Sequence, residues 1–551
     1  MPKELKFDEE AKSKLLAGAK IVARAVGSTL GPKANNVAIE RPFGSPSVLH
    51  DGVSVAKEIE LEDPFENLGA QLIKEAAQKT NDKAGDGTTT ATILTYAMAS
   101  EAVKNIAAGA NAMMLRKGME LAAKDIVKRL KSLAQPIKTN EEIKQIATIS
   151  AQDEAIGSLI ASAINKLGKE CIIAVEESTT VGMELEYKEG MQFDKGWISP
   201  YFVTNPQTME AVVEDAFILI TDIKITTNSQ FIEWARNLEN VYTQAKIKEN
   251  STSQKQMPKN IVIIAGEVSG IALASIITNK LQGFLNILAI QAPQYGETQK
   301  EILKDIAVVT GGEFISQETG RSLDSMKLTD FGRAKKVVST KDNTMIIDGA
   351  GSREDVNKRV RQLENILKQT TSEFEQEKLK ERIAKLTSGI AVINVGAPSE
   401  MEMREKKERC IDAIEATKAA IEEGIVRGGE VAYLAATNGL RCESDGDIET
   451  GYNLVLKAVQ KPFQVLMENS GYNPGQMMER LQATDMGIDV RDGLKKDMIK
   501  AGIIDPVKVS RIALENAVST AGAIMTCNTL IVEKKDKKNG PGRNEQIIQG
   551  N

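Results

Sequence analysis

Residues 84-AGDGTTTAT-92 set one carboxylate between two glycines and follow it with three threonine hydroxyls. Glycine lets backbone amides approach an anion closely, and the start of a following helix adds N–H groups and the positive end of its dipole. A lone Asp supplies the hard oxygen that Mg²⁺ takes when its other ligands are phosphate and water. The turn therefore reads as a cradle for phosphate and metal. Taken by itself, Asp86 fits the commoner role of a helix cap better than that of a metal ligand. A second acid in a suggestive place is Asp412. The apolar stripe of its helix runs through Ile411, Ile414, Ile421 and Ile425, and Asp412 is turned about 100° from Ile411. It can point off the local core toward a facing domain, although an acid on so charged a helix is more often simply solvated.

Other chemistries are poorly served. The Gly168–Lys169 pair is followed by Glu170 and lacks the upstream glycine of a P-loop. There is one histidine, His50, and the four cysteines (Cys171, Cys410, Cys442, Cys527) form no CxxC pair. This argues against a zinc site and against Ser–His or Cys–His catalysis, and it suits free thiols in a reducing, cytoplasmic compartment. A net charge of −6 leaves no nucleic-acid footprint. The N-terminus has no apolar signal region, and the most apolar stretch, 260–278, is interrupted by Glu267 and two glycines. No secretory signal and no membrane partner are expected.

The elements that must position these residues follow from length and pattern. The 551 residues, 42% hydrophobic but only 4% aromatic, suit several domains with cores of Ala, Val, Ile and Leu. Helical spacing predicts a helix over 8–30, stopped by Gly31 and Pro32, and helices at about 65–80 and 88–107 on either side of the glycine turn. Strands are expected at 37–40 and 47–52. Beyond a break at Pro136, a helix–turn–strand stretch leads to Gly190. Over 190–389, strands at 217–221, 261–265, 286–292 and 307–312 alternate with helices, which implies a partly parallel sheet. An exposed polar loop is expected at 246–259, a helical hairpin at 352–387, a strand at 390–396 and a long helix at 400–423. Helices dominate the remainder, and the polar tail 534–551 reads as disordered.

Six stretches now stand in one order: 29-TLGPK-33, 51-DGVSVAKEIELED-63, 84-AGDGTTTAT-92, 189-EGMQFDKGWISPYF-202, 404-REKKERCIDAIEATKAAIEEGIVRGGE-430 and 502-GIIDPVKV-509. On them the chain resembles, over nearly its full length, the group I chaperonins of bacteria and organelles, as a divergent member. The resemblance implies an α/β multidomain fold. A mostly helical equatorial ATP-binding domain takes 1–135 and 424–551, a small α/β intermediate hinge domain takes 136–189 and 390–423, and an apical α/β domain at 190–389 binds client protein. Hinges would lie near Pro136, Gly190, Gly389 and Gly424. The implied activity is ATP hydrolysis coupled to capture, enclosure and release of non-native proteins. The implied assembly is a heptameric homo-oligomeric ring, single or paired, with a co-chaperonin lid as a partner that the family admits.

The same resemblance implies the site. ATP and Mg²⁺ are the cofactors, with K⁺ as a further ion that the family admits. Asp86 becomes the metal ligand; Gly87, Thr88, Thr89 and Thr90 meet the phosphates, with Thr29, Leu30, Gly31 and Pro32 on their other side. Asp51 stands at the catalytic end with the nucleotide-binding His50 before it, and Asp412 activates water after ATP closes the intermediate domain. Gly428, Gly429, Asp489 and Asp505 face the base and ribose. The client surface would comprise Trp197, Tyr201 and Phe202, with Ile232, Ala235, Leu273, Ile277 and Thr278. The chain departs from the family pattern at His50 (usually Lys), at Glu430 (usually a third Gly) and at Asp489-Val490-Arg491 (usually Asn-Ala-Ala). Gln464 and Asn473 replace a charged pair at the ring–ring contact. These departures motivate an alternative: a ring-forming holdase or scaffold with weakened ATP cycling.

Overall fold

The computed structural model describes residues 2–40, 47–49, 51–169, 171–178, 180–206, 208–227, 229, 232, 260–323, 326–370, 372–387, 389–481 and 486–533. His50, Ala235, the 246–259 loop and the 534–551 tail lie outside them. Along the chain run β1 (Lys3–Phe7), α1 (Asp8–Gly27), β2 (Val37–Ile39), β3 (Ser47–Leu49), α2 (Gly52–Glu58), α3 (Pro64–Ala84), α4 (Thr88–Ala107), α5 (Ala112–Leu133), α6 (Asn140–Ala151) and α7 (Glu154–Leu167). Next come β4 (Ile172–Glu177), β5 (Gly182–Lys188), β6 (Gly190–Phe193), β7 (Ala211–Thr221), β8 (Lys224–Ile225), β9 (Asn260–Ala265), β10 (Glu267–Val268), α8 (Gly270–Leu281), β11 (Asn286–Gln291) and α9 (Gly296–Thr310). They are followed by β12 (Phe314–Ile315), β13 (Gly332–Ser339), β14 (Thr344–Gly349), α10 (Arg353–Gln369), α11 (Glu373–Thr387) and β15 (Ile390–Gly396). The chain ends with α12 (Glu400–Glu423), β16 (Ile425–Arg427), α13 (Val431–Thr437), α14 (Asp447–Ala458), α15 (Lys461–Asn469), α16 (Pro474–Leu481), β17 (Gly487–Asp489), β18 (Leu494–Lys496), β19 (Ile504–Pro506), α17 (Val507–Thr526) and β20 (Thr529–Glu533).

Two compact units emerge, one from residues 1–161 with 397–551 and one from 162–396. The first is a helical body. Its core is aliphatic, with Leu94, Met98, Leu115, Met119, Ile126, Val455, Leu514 and Met525 buried around Tyr433 and Tyr452. Small residues let the helices come close. At the α1–α3 crossing, a methyl group on Gly18 would lie 1.8 Å from the Glu66 carbonyl oxygen, and one on Gly69 2.0 Å from that of Leu15. The chain's two ends are tied by antiparallel pairing of β1 with β20. Asp51 and Gly52, read from sequence as strand, instead begin α2, with Asp51 as its N-cap. The strand stops at Leu49, and the Asp51 carboxylate accepts from the Ser54 amide, which starts the helix instead.

The second unit is built on a mixed sheet in the order β11-β9-β7-β13-β14-β6, with β12 also paired to β7. β11, β9 and β7 are parallel, whereas β13, β14 and β6 join antiparallel. A three-stranded sheet, β4-β15-β5, packs Ile172, Ile390 and Val392 against Val338 and Ile347 of the larger one. The stretch 307–312 is not a strand: it closes α9, because Leu303, Ile306, Ala307 and Thr310 are buried at helical spacing. The helical hairpin α10–α11 is fastened by Arg359 and Arg382, both bonded to the fully buried Asp305 of α9.

Gly69→Ala is expected to lower the stability of the first unit by ~1–3 kcal/mol, since the new methyl group must displace backbone. Thermal unfolding of the variant beside the wild type checks this, and an unchanged midpoint disproves it.

Candidate functional site

The glycine turn is shaped by what closes over it. α3 ends with Gly85 in the left-handed region (φ 69°), and α4 begins after Gly87 (φ 80°). A methyl group on Gly85 would lie 2.1 Å from Cβ of Glu415 on α12, and one on Gly87 2.6 Å from Cγ1 of Val509 on α17. Both glycines are thus required twice, by backbone angle and by space. No side chain caps α4, so Asp86 does not play the ordinary capping role. Its Oδ1 instead accepts from the amide of Gly87 (2.5 Å), and its Oδ2 accepts from the Ser150 hydroxyl (3.2 Å). The uncapped helix start leaves amides suited to an anion.

The three threonines reach three different segments. Thr88 Oγ1 donates to Asp51 Oδ1 (3.4 Å), while Asp51 Oδ2 accepts from the Ser54 amide (2.8 Å). Thr89 Oγ1 lies 3.4 Å from Thr29 Oγ1. Thr90 Oγ1 donates to Glu430 Oε1 at 2.5 Å. Gly52 fits under this row because a methyl group there would come within 2.3 Å of Thr89 Oγ1. The 29–32 turn, with Gly31 at φ 94°, is braced by Asn469, whose amide donates to the carbonyls of Gly27 and Leu30. Leu30 packs on a cluster that includes Phe463 and Leu466, and Pro32 is exposed.

Antiparallel pairing of β16 with β19 sets Asp505 opposite Val426 and brings the Gly428–Gly429 turn over its carboxylate. The amides of Gly429 and Glu430 donate to Asp505. Burial and then the charge of Asp86 push Asp505 up to about 7. Burial, with Asp505 and Asp86 adding to it, pushes Glu430 up to about 8. Asp86 is raised by burial and by Asp51. Asp412 is raised well above the usual carboxylate range by burial, then by Asp51 and Asp86.

Asp412 is therefore already within electrostatic reach of the turn, which corrects the expectation that it stands apart until ATP arrives. The stripe of isoleucines also needs correction. α12 buries Cys410, Ala413, Ile414, Thr417 and Ala420, leaves Ile411 exposed and ends before Ile425, which is in β16. Small residues on this face let α12 lie close to its neighbours. Glu408, Asp412, Glu415 and Ala419 share the opposite side at helical spacing. Ala419 packs with Ala84, Val509 and Ile512 beside the turn.

Asp489 is placed differently from expectation. Its carboxylate is ion-paired with Arg491 (2.9 Å) and Lys496 (2.9 Å), and it is only 2% exposed. The hydrogen bond from Arg491 and the neighbouring cation hold it well below the usual range, and its oxygens tie the β17–β18 hairpin. Ser150, Asn469, Glu408 and Glu415 were missed from sequence, where nothing distinguishes them from ordinary polar helix residues.

The aromatic cluster of the second unit is also corrected. Trp197 is buried, with its indole N–H donating to the Met209 carbonyl, and Phe202 is fully buried. Only Tyr201 of the three is exposed, at 64%. Trp197, Ser199 and Phe202 of this short turn are buried while Pro200 and Tyr201 are exposed, which composition does not reveal. The exposed apolar residues nearest α8 in sequence are Ile271, Leu281 and Phe284, while Leu273 and Ile277 are half-buried against the core. Ile232 and Thr278 are exposed.

The donor set fits Mg²⁺ in one way. Among the described residues, no three Asp, Glu, His or Cys side chains converge to hold a metal unaided. Asp86 offers one buried hard oxygen, which suits an ion whose other ligands arrive with a phosphate.

The profile of the TCP-1/cpn60 chaperonin family matches residues 22–535, and the chain belongs to that family. Its fold is that of a chaperonin. Among solved structures it is similar to the chaperonin gp146 from bacteriophage EL 2 (Pseudomonas aeruginosa), crystallised in the presence of ATP-BeFx. In one crystal form of that protein the TM-score is 0.69 at 21% identity, covering 96% of this chain and 99% of that one. In the other the TM-score is 0.62 at the same 21% identity and coverage. No helix among the described residues is long and apolar enough to cross a membrane.

Glu430 and Asp505 carry pKa values of about 8 and about 7 in the fold, against ~4 in an unfolded chain. Between these limits the fold binds more protons than the unfolded chain, so their contribution to stability falls as pH rises and levels off above about 8. The melting temperature of the ligand-free protein is therefore expected to fall less steeply between pH 5 and 8 in Glu430→Gln and Asp505→Asn than in the wild type. Parallel curves would contradict the assignment.

Proposed function

We propose that this chain is the subunit of an ATP-hydrolysing group I-type chaperone that captures, encloses and releases non-native proteins. The reading is carried by one arrangement: an uncapped helix start behind a left-handed glycine turn, with buried Asp86 in the turn and Asp412 and Asp51 around it. ATP phosphates lie on the amides and hydroxyls of residues 87–90, with Thr29 to Pro32 opposite. Asp505 and the Gly428–Gly429 turn face the ribose. Asp86 holds Mg²⁺, which supplies charge neutralisation on the phosphate oxygens. Asp412 accepts the proton of the attacking water, and Asp51 helps to orient that water. Burial, with repulsion from Asp51 and Asp86 added to it, favours the proton on Asp412, so neutralising those charges makes it a more competent base. Phosphoryl transfer to water asks for positioning and charge balance rather than a covalent intermediate, so carboxylates suffice.

The three-domain division expected from sequence, with hinges near Pro136, Gly190, Gly389 and Gly424, belongs to this proposal, as do the heptameric ring, K⁺ and a co-chaperonin lid. The client surface is narrower than first expected. It is assigned to Tyr201 with the exposed residues Ile271, Leu281 and Phe284, while Leu273, Ile277 and Thr278 shape the surface between them. A holdase with weak ATP cycling is the second reading, favoured by the carboxylate of Glu430 inside the pocket and by the engagement of Asp489 elsewhere.

Asp412→Ala is expected to lower the ATP turnover number by ~10² or more while changing KM several-fold at most. Steady-state ATPase assays decide it: absence of turnover in the wild type would select the holdase, and full activity of the variant would remove Asp412 from the mechanism. Tyr201→Ser combined with Leu281→Ser is expected to weaken capture of a denatured protein in a light-scattering assay without loss of ATPase. Undiminished capture would move the client surface elsewhere.

A further inference from the structure

Glu430 is the outlier of the pocket. It is a non-glycine residue in the left-handed region, at φ 64°, where it begins α13. That conformation disfavours a side chain by about 1 kcal/mol or more, and such outliers gather where a function holds them. Its side chain is enclosed and meets the buried hydroxyl of Thr90 at 2.5 Å. The charged groups that act on it are Asp505 from β19 and Asp86 from the turn before α4. Tyr433 of its own helix is buried beside it, with its hydroxyl donating to the Ser510 carbonyl. Asp505 and Asp86 disfavour an ionised Glu430, and the hydrogen bond from Thr90 is what favours it.

A hydroxyl has one proton to give. When Glu430 is ionised it can only accept, so the proton of Thr90 is spent on it and Thr90 turns lone pairs to the pocket. When Glu430 is protonated, its own O–H can donate to Thr90 Oγ1, and the Thr90 proton is released to point elsewhere. Thr90 stands in the first turn of the uncapped helix α4, where the proposed phosphate cradle lies.

We propose that Glu430 is a positioning residue that sets the direction of the Thr90 hydroxyl, so that nucleotide phosphate binds to the form in which Glu430 carries a proton. The proposal rests on the nucleotide reading of the site. The proton comes from solvent on binding and returns on release; no covalent bond changes. With Glu430 near pH 8 in the fold, linkage predicts about a tenfold weakening of nucleotide affinity between pH 7 and pH 9.

The test is calorimetric titration of the full-length protein with Mg-ADP from pH 7 to 9, for wild type, Glu430→Gln, Thr90→Val and Asp505→Asn. ADP removes the complication of turnover. In Glu430→Gln the amide N–H₂ donates to Thr90 at every pH, so the ratio of dissociation constants at pH 9 and pH 7 should shrink from about ten to below about two. Thr90→Val should flatten the profile as well. Asp505→Asn should keep a sloping profile, displaced to lower pH because the charge that helps to raise Glu430 is gone while burial and Asp86 remain. A Glu430→Gln profile as steep as wild type overturns the proposal and leaves the nucleotide site standing. Absence of Mg-ADP binding by the folded wild type at every pH takes down the site reading, and this proposal with it.

Discussion

The arrangement around residues 84–90 depends on burying carboxylates that repel one another. Asp86, Asp412, Glu430 and Asp505 are each pushed upward, by burial first and by neighbouring acids next. Left ionised together, they would strain the fold; protonated or matched by cations, they are tolerated. The pocket is thus a region of unsatisfied negative potential closed over by helices. A cation bound among them would lower the cost of ionising these acids.

That closure is a packing achievement of small residues. Glu415 of α12 rests on Gly85, Val509 of α17 rests on Gly87, and the Thr88–Thr89 pair lies over Gly52. In each case a methyl group would have to displace a neighbour by an ångström or more. The alanines of α12 allow the same closeness on its other face. A helical body without such contacts would leave the turn open to water, where the carboxylates would hold ordinary pKa values and little electrostatic leverage. The second unit solves a different problem. Its sheet is covered by a nearly continuous aliphatic core, and the buried Asp305 with its two arginines fastens the α10–α11 hairpin. Tyr201, Leu281 and Phe284 stay outside that core.

Much of this was legible in the residues themselves. Helical spacing marks α1, α3, α4, α10–α11 and α12, and glycine–proline punctuation marks their ends, because a single amphipathic face and a cap are local properties. The glycine–aspartate–threonine turn announced itself for the same reason: its residue types are unusual and contiguous. Local pattern failed where two periods overlap. The run at 307–312 is β-branched yet helical, since burial on α9 outweighs strand preference.

What only the tertiary structure decided is which groups meet. Thr90 reaches Glu430 across 340 positions, and Ser150 reaches Asp86 across 64; no periodicity encodes such pairs. Asp489 could have faced a ligand but is claimed by Arg491 and Lys496, and Trp197 could have been exposed but is inward. The sequence by itself determined the elements, the turn and the family likeness, because these depend on neighbours along the chain. Exposure, ion pairing and protonation depend on neighbours in space, and those exist only once the helices have closed over the turn.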